Sequence, residues 1–313
     1  MRKLIEQLAP TARCAFSWRS AVVFPLLLLL AGFHTSSTTA VDAAQVNQQL
    51  ARLEGELSEL KHENAMPALV LNRHRQSICF IYGVYSIVGM PGGEHRSHIQ
   101  FSGTGFVAAE GLVATNRHVA EPWFEDDEAE ALISHGAKPR LEKLLAFFPD
   151  HRDGVDLTDV TVSPETDVAV ARFSTESVPD VAPVPLADSP AVAGDPVVVV
   201  GYPMGIAAMV AKSPRPVYRR LAYRKADFAV AKELAELSLI RPSATQGHLG
   251  DVVGEKLIYD AVTAHGGSGG PVFNNQGRVI GVNSAYLDGF SGGTLGISVS
   301  AVRPVIAAAQ RKH

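Results

Sequence analysis

The stretch AHGGSGGPVFNNQGRVIGVNS, Ala264–Ser284, decides how the chain is read. Ser268 is flanked by Gly266-Gly267 on one side and Gly269-Gly270-Pro271 on the other. Glycine inside a regular element costs ~0.5–1 kcal/mol relative to alanine, so such a cluster needs a local reason. Two are open. A surface turn would use the positive φ that glycine supplies. Alternatively, the backbone is bent so that a hydroxyl and several N–H groups converge on one point. The residues after Pro271 read as a β-hairpin with Asn274-Asn275-Gln276-Gly277 as its loop.

An activated serine needs a base within hydrogen-bond reach and a third group to orient that base. The only histidine after Ser268 is His313, the final residue. The sequence Gly266-Gly267-Ser268-Gly269-Gly270 formally fits the G-x-S-x-G elbow of α/β hydrolases. That elbow requires a helix after the serine and the chain order Ser, acid, His. Pro271 and a hairpin follow here, so the hydrolase reading fails. The order His, Asp, Ser has good candidates. In VATNRHVAEP, His118 directly follows an apolar strand where a loop begins, and in SPETDVAVARF, Asp167 stands at the mouth of a strand. A histidine or an aspartate alone at such a place is ordinarily structural. The two together, in this order and ahead of a glycine-embedded serine, point to nucleophilic catalysis.

The 313 residues are 46% hydrophobic and 19% charged, as expected of a folded globular protein, and a net charge of −4 gives no global sign of nucleic-acid binding. The N-terminus stands apart. Arg2, Lys3, Arg13 and Arg19 precede the apolar run Ala21–Phe33, and polar small residues follow. This is a secretory signal cleaved near Ala43, or an uncleaved membrane anchor; residues 1–43 form this segment. The run is shorter than the ~17–25 residues a spanning helix needs, and Pro25 interrupts it. Of the two cysteines, Cys14 lies in the leader. Cys79 is thus alone in the mature chain and reads as a small buried hydrophobe in a strand. His62, His74, His95 and His98 show no spacing typical of a structured zinc site, and no metal or cofactor is expected.

Residues 44–74 read as a helix in which Val46, Leu50, Leu53, Leu57 and Leu60 form a short heptad seam over 44–64. The seam either packs on its own domain or zips subunits into a homo-oligomer. Strands dominate from 75 to about 174, interrupted by an acidic loop and short helix after His118. A proline-rich linker (about 175–194) leads to a second strand-rich half (about 195–309). That half contains a helical stretch, Val217–Ile240, and ends in a helix with Ser300 as cap and Pro304 in its first turn. Two strand-rich halves joined by an extended link predict paired antiparallel barrels.

Several segments resemble the trypsin-like, chymotrypsin-fold serine peptidases of the HtrA type. GTGFVAAEGLVATNRHVA is similar to that family's histidine-bearing strand-turn-strand, TDVAVARF to its aspartate segment, YDAVTAHGGSGGPVFNNQGRVIGVNS to its serine segment, and GISVSAVRPVI to its closing strand and helix. The resemblance covers about Ile78 to Ile306. It implies an all-β fold of two six-stranded antiparallel barrels with an N-terminal helix, a helical insertion in the second barrel and a C-terminal helix. It also implies an exported endopeptidase, periplasmic, secreted or membrane-anchored, acting on polypeptides. Ser268 would be the nucleophile, His118 the base and then acid, and Asp167 its orienting carboxylate. The N–H groups of Gly266 and Ser268 would form the oxyanion hole, and Ser284 would hydrogen-bond the carboxylate. The substrate pocket would take its floor from Val262, Thr263 and Ala264 and its walls from Ser284, Ala285, Tyr286 and Gly296. With no acid among these, small or medium aliphatic residues are expected before the scissile bond.

Two departures stand out. Gly267 occupies the place where trypsin-type zymogens carry the aspartate that captures a new N-terminus, so activation by that ion pair is not expected. The PDZ domain usual in HtrA-type proteins is not expected either, because the chain ends at His313. The insertion either covers or orders the site, or is a surface elaboration. A gated or weakly active chaperone-like peptide-binding module on the same fold is the competing reading.

Overall fold

The computed structural model describes residues 43–89, 96–286 and 293–312. The leader, His95 and the side chains of Ala285 and Tyr286 lie outside the described set. Among the described residues no helix is long and apolar enough to cross a membrane.

Helix α1 (Ala43–His74) begins in a first compact unit that ends at Ala51, and the rest of the fold belongs to the second unit, Arg52–His313. Within the second unit, Met66, Val70 and His74 form a buried stripe at a spacing of four. Pro67 lies inside the helix and has no N–H for the carbonyl of Glu63. The Gln246 side-chain amide donates to that carbonyl instead, at 3.1 Å, and His248 meets the Glu63 carboxylate at 3.0 Å. The His74 ring stacks on Phe273 with centroids 5.3 Å apart. The seam residues of the second unit, Leu53, Leu57 and Leu60, are exposed, so the reading in which this part of the seam packs on its own domain is corrected.

The first strand-rich half is one seven-stranded antiparallel sheet in the order β5-β4-β1-β2-β3-β7-β6. Its strands are β1 (Ile78–Val88), β2 (Arg96–Ala109), β3 (Leu112–Thr115), β4 (Lys138–Phe147), β5 (Val155–Asp156), β6 (Thr158–Val162) and β7 (Ala169–Arg172). Short helices α2 (Arg117–Ala120) and α3 (Asp127–Ser134) follow β3, and the side chain of Asp126 caps α3 by accepting from the Ala129 N–H. The sheet curls into a half-barrel rather than closing as the expected six-stranded barrel. Strand β1 shows why its sequence is apolar without alternation. Cys79 and Ile81 face the core inside the curl, while Ile78, Phe80 and Tyr82 face a second core shared with the other half of the protein. Both faces are dry, so both must be apolar.

The second half closes as a six-stranded barrel in the order β10-β13-β12-β11-β8-β9. It comprises β8 (Pro196–Gly201), β9 (Ser243–Val253), β10 (Lys256–Tyr259), β11 (Pro271–Phe273), β12 (Val279–Tyr286) and β13 (Thr294–Ser298). Between β8 and β9 the chain forms three helices, α4 (Gly205–Ala211), α5 (Arg215–Leu221) and α6 (Phe228–Glu236). The helical insertion therefore starts at Gly205, earlier than its sequence suggests. It is not a surface elaboration. Ile206, Met209, Leu221, Val230 and Leu234 are buried in the shared core, and Phe228 packs between the rings of Tyr82 and Phe147. Helix α7 (Val299–Arg311) closes the chain. Its cap is Ser298, which accepts from the Ser300 N–H, and Pro304 lies beyond the first turn.

Candidate active site

Strand β3 delivers the chain to Asn116, the fully buried N-cap of α2, and His118 follows in that helix's single turn. Asp167 stands two residues before β7, the strand paired with β3. This pairing makes the two side chains neighbours. The His118 backbone N–H donates to Asp167 Oδ1 at 2.9 Å, and the ring Nδ1 lies 2.8 Å from Oδ2. A carboxylate only accepts, so Nδ1 carries the proton and Nε2 is left as the acceptor. Ser284 Oγ donates to the same Oδ2 at 2.8 Å, and Asn116 Nδ2 holds the Asp167 carbonyl at 2.9 Å. The Asp167 side chain is 9% exposed and the His118 ring 32%, so the carboxylate is enclosed while one edge of the imidazole reaches solvent.

Ser268 sits in the loop between β10 and β11, where each carbonyl from His265 to Ser268 has a donor. The Met204 N–H donates to His265 O, Thr104 Oγ1 to Gly266 O, Asn283 Nδ2 to Gly267 O and the Thr104 N–H to Ser268 O, at 2.6, 2.7, 2.9 and 2.8 Å. A trans peptide carries its N–H opposite its C=O. The N–H groups of Gly266 and Ser268 are thereby turned away from Met204 and from Asn283, while the N–H of Gly267 is used in a turn to Ala264 O at 2.8 Å. Gly266 has φ +89°, and a Cβ there would lie 2.6 Å from Tyr202 O. Only glycine fits this position without displacing the loop.

His118, Ser268 and Ser284 line one open cleft of about 380 Å³, together with Thr263, Ala264 and His265 and, across from them, Pro122, Phe124, Glu125 and Asp126. The Ser268 hydroxyl donates to Ser284 O at 2.8 Å. Of the residues expected to form the pocket, Thr263, Ala264 and Ser284 line the cleft. Val262 is not among the lining residues, and it is 70% exposed to solvent. Gly296 is buried on β13 opposite Asn283, facing the Tyr259 ring. Ala285 and Tyr286 belong to β12, but their side chains lie outside the described residues. Of the histidines considered as metal ligands, His62, His74 and His98 lie within the described residues. His98 pairs with Glu142 at 2.9 Å, His62 lies 3.2 Å from Asn275 O, and among the described residues no group of three or more potential ligands is placed to hold a metal.

Sequence reading missed Thr104, Asn116, Asn283 and the acidic rim of Glu125 and Asp126. A signal existed for Asn283, since asparagine is disfavoured in strands and this one interrupts an apolar run.

The chain is similar to known proteins in sequence and in fold. A family model described as "Trypsin-like peptidase domain" matches residues 103–282. Two curated relatives, both named probable periplasmic serine endoprotease DegP-like, are similar in sequence. The protein from Chlamydia pneumoniae is 28% identical over 197 residues, which is 62% of this chain and 30% of that protein. The one from Pseudomonas putida (strain F1) is 27% identical over 211 residues, covering 66% and 34%. The chain thus spans about a third of the length of these relatives. The crystal structure of the active form of Rv3671c protease from M. tuberculosis shares the fold, with a TM-score of 0.51, 19% identity and coverage of 78% of this chain and 85% of that one.

Proposed function

The chain belongs to the trypsin-like peptidase family, and from that premise we propose that it is an exported serine endopeptidase. It cleaves polypeptides with Ser268 as nucleophile, His118 as general base and acid, and Asp167 as the orienting carboxylate. The observation that carries the reading is the His118–Asp167–Ser284 hydrogen-bond chain, whose two ends line one cleft with Ser268.

The steps use the groups that line or border the cleft. Ser268 Oγ turns from Ser284 O toward the cleft, gives its proton to His118 Nε2 and attacks the substrate carbonyl carbon. Asp167 keeps the imidazole in the tautomer that can accept and stabilises the imidazolium that forms. The developing oxyanion accepts from the N–H groups of Gly266 and Ser268, donors fixed before the reaction begins. As the C–N bond breaks, His118 protonates the leaving amine. Water activated by the same ring then hydrolyses the acyl-serine. Thr263 and Ala264 offer the substrate side chain small, uncharged surfaces, which supports a preference for small or medium aliphatic residues before the scissile bond. Cleavage of a peptide library confined to Lys and Arg sites would contradict that preference.

Export is supported by the basic-then-apolar leader and by the periplasmic names of the relatives. The leader is either removed near Ala43 or retained as an anchor that leaves the peptidase domain outside the cytoplasm. The exposed Leu53, Leu57 and Leu60 support self-association through residues 44–64. A second reading, a gated or weakly active chaperone-like module, is favoured by one observation, the bond from the Ser268 hydroxyl to Ser284 O instead of to His118. The test pairs residues 44–313 with their Ser268→Ala variant. Casein degradation and fluorophosphonate labelling by the parent alone are the expected result. Labelling without cleavage selects the gated module, and neither removes the enzyme reading.

A further inference from the structure

The loop that carries Ser268 has one acidic residue, Asp260 at its start, which accepts from the His248 N–H on β9 at 2.6 Å, and none beside the nucleophile. A Cβ at Gly267 would come within 2.3 Å of Thr263 Oγ1 and 3.0 Å of Ala264 O, so the position before the nucleophile has no room for an acidic side chain. Yet the Gly267–Ser268 peptide must be held in one orientation, because its N–H is one of the two oxyanion donors. Turned over, the same peptide would present the Gly267 carbonyl to the developing negative charge, replacing an attraction with a repulsion.

The fixing contact comes from strand β12. Asn283, only 1% exposed, directs Nδ2 at the Gly267 carbonyl at 2.9 Å and at Thr263 Oγ1 at 3.3 Å. Its Oδ1 accepts from the phenol of Tyr259 at 2.8 Å. The network fixes which way the amide faces. Gly267 O accepts only, so the NH2 must be turned to it, and the carbonyl end then needs a donor, which the phenol supplies. Tyr259 is buried, and that burial raises its pKa well above 10, so it remains a donor wherever His118 works as a base. The phenol also lies 3.4 Å from Leu295 O. The Gly270 N–H reaches Gly267 O as well, at 3.1 Å. That bond lies within the loop itself and moves with it, whereas Asn283 ties the peptide to the barrel wall.

Building on the peptidase reading above, we infer that Asn283, oriented by Tyr259, is the positioning residue that sets the Ser268 N–H as an oxyanion donor. It does from a neighbouring strand what an acidic residue beside the nucleophile would otherwise do. Asn283 touches neither substrate nor nucleophile side chain, so its effect falls on the transition state and not on substrate binding.

The test uses the full chain and a quenched-fluorescence peptide built from a casein site that the parent enzyme cuts. A peptide aldehyde of the same sequence serves as the probe of the oxyanion hole, since its hemiacetal oxygen occupies that place. Asn283→Asp substitutes an acceptor for the donor at unchanged size, and Asn283→Leu removes both polar ends. Displacing one oxyanion donor costs ~10²–10³ in rate, so both variants should lose about 100-fold in kcat with KM within about threefold. Affinity for the aldehyde should fall in parallel. Tyr259→Phe, which removes a single oxygen, should lose about tenfold in kcat in the same pattern. Should the Asn283 variants fail to fold, Tyr259→Phe decides alone. Unchanged kcat in a folded variant, or a rise in KM at constant kcat, overturns the positioning role while leaving the peptidase intact. A parent protein that neither cuts casein nor reacts with fluorophosphonate removes the peptidase reading, and this inference with it.

Discussion

Replacing Gly266 by alanine tests the geometry of the site most directly. The added Cβ would stand 2.6 Å from Tyr202 O and 3.1 Å from Gly205 N, about 0.8 Å inside ordinary contact with the first. Both are backbone atoms. Tyr202 is buried, its N–H bonded to Thr104 Oγ1 at 3.0 Å and its phenol to Ile78 O at 2.9 Å, so the wall does not yield easily. The loop therefore moves, and it carries the Gly266 N–H with it. A displacement of ~1 Å costs ~10²-fold, and an alanine at φ +89° adds ~1–2 kcal/mol of backbone strain. Gly266→Ala should lose about 100-fold in kcat on a casein-derived peptide, label slowly with fluorophosphonate, and melt a few degrees lower while still folding. Gly254→Ala is the control. Its φ is +60° and nothing lies within 4 Å of the new Cβ, so it carries similar backbone strain without the collision. It should melt lower than the parent through strain alone, by less than Gly266→Ala, and keep its kcat. If Gly266→Ala retains kcat within threefold of the parent, the loop has room that the structure denies and the oxyanion assignment fails.

Three further outcomes follow from burial and exposure. Burial pushes the Cys79 thiol up to about 12, so Ellman's reagent should find no reactive thiol in the folded mature chain at pH 8 and one after denaturation. A fast native reaction would show that β1 opens. Burial, and after it the charge of Arg73, holds His74 below its ordinary 6.5, against a weaker opposing pull from the Gly277 backbone. A histidine with a lowered folded pKa stabilises above its unfolded value, and that contribution is lost as pH falls below about 6.5. The parent should therefore lose melting temperature between pH 7 and 5 more steeply than His74→Leu, and equal slopes would refute the assignment. Finally, Leu53→Glu with Leu57→Glu alters two residues that are 59% and 51% exposed. The pair should lower the sedimentation coefficient to that of a single chain without changing the melting profile of the peptidase domain. An unchanged sedimentation coefficient would mean that the seam joins nothing.

How much of this was legible beforehand depended on how local each signal was. The Asn274–Gly277 loop and the segments that carry His118, Asp167 and Ser268 are local features of the chain, and each was read from a few residues. The six-strand closure of the second half followed from the family resemblance, whereas the open curl of the first half did not. A strand's apolar pattern says that a face is buried, but not whether the sheet ends curl far enough to pair. The first half stops as a curled seven-stranded sheet and the second closes at six. The helical insertion was visible as helix, yet its burial in the shared core depends on Tyr82, Phe147 and Phe228 meeting from distant parts of the sequence.

By itself, then, the sequence determined which chemical groups the protein owns and the order in which the chain presents them, because alternation, turn glycines and helix caps act over a few residues. Only the tertiary structure decided which of those groups touch. The pairing of β3 with β7 brings Asp167 to His118, and the register of β12 puts Asn283 under the Gly267 carbonyl with Ser284 beside Asp167. Buried polar groups find their partners across the fold, where sequence spacing carries no information, and they must find them because an unpaired one is costly.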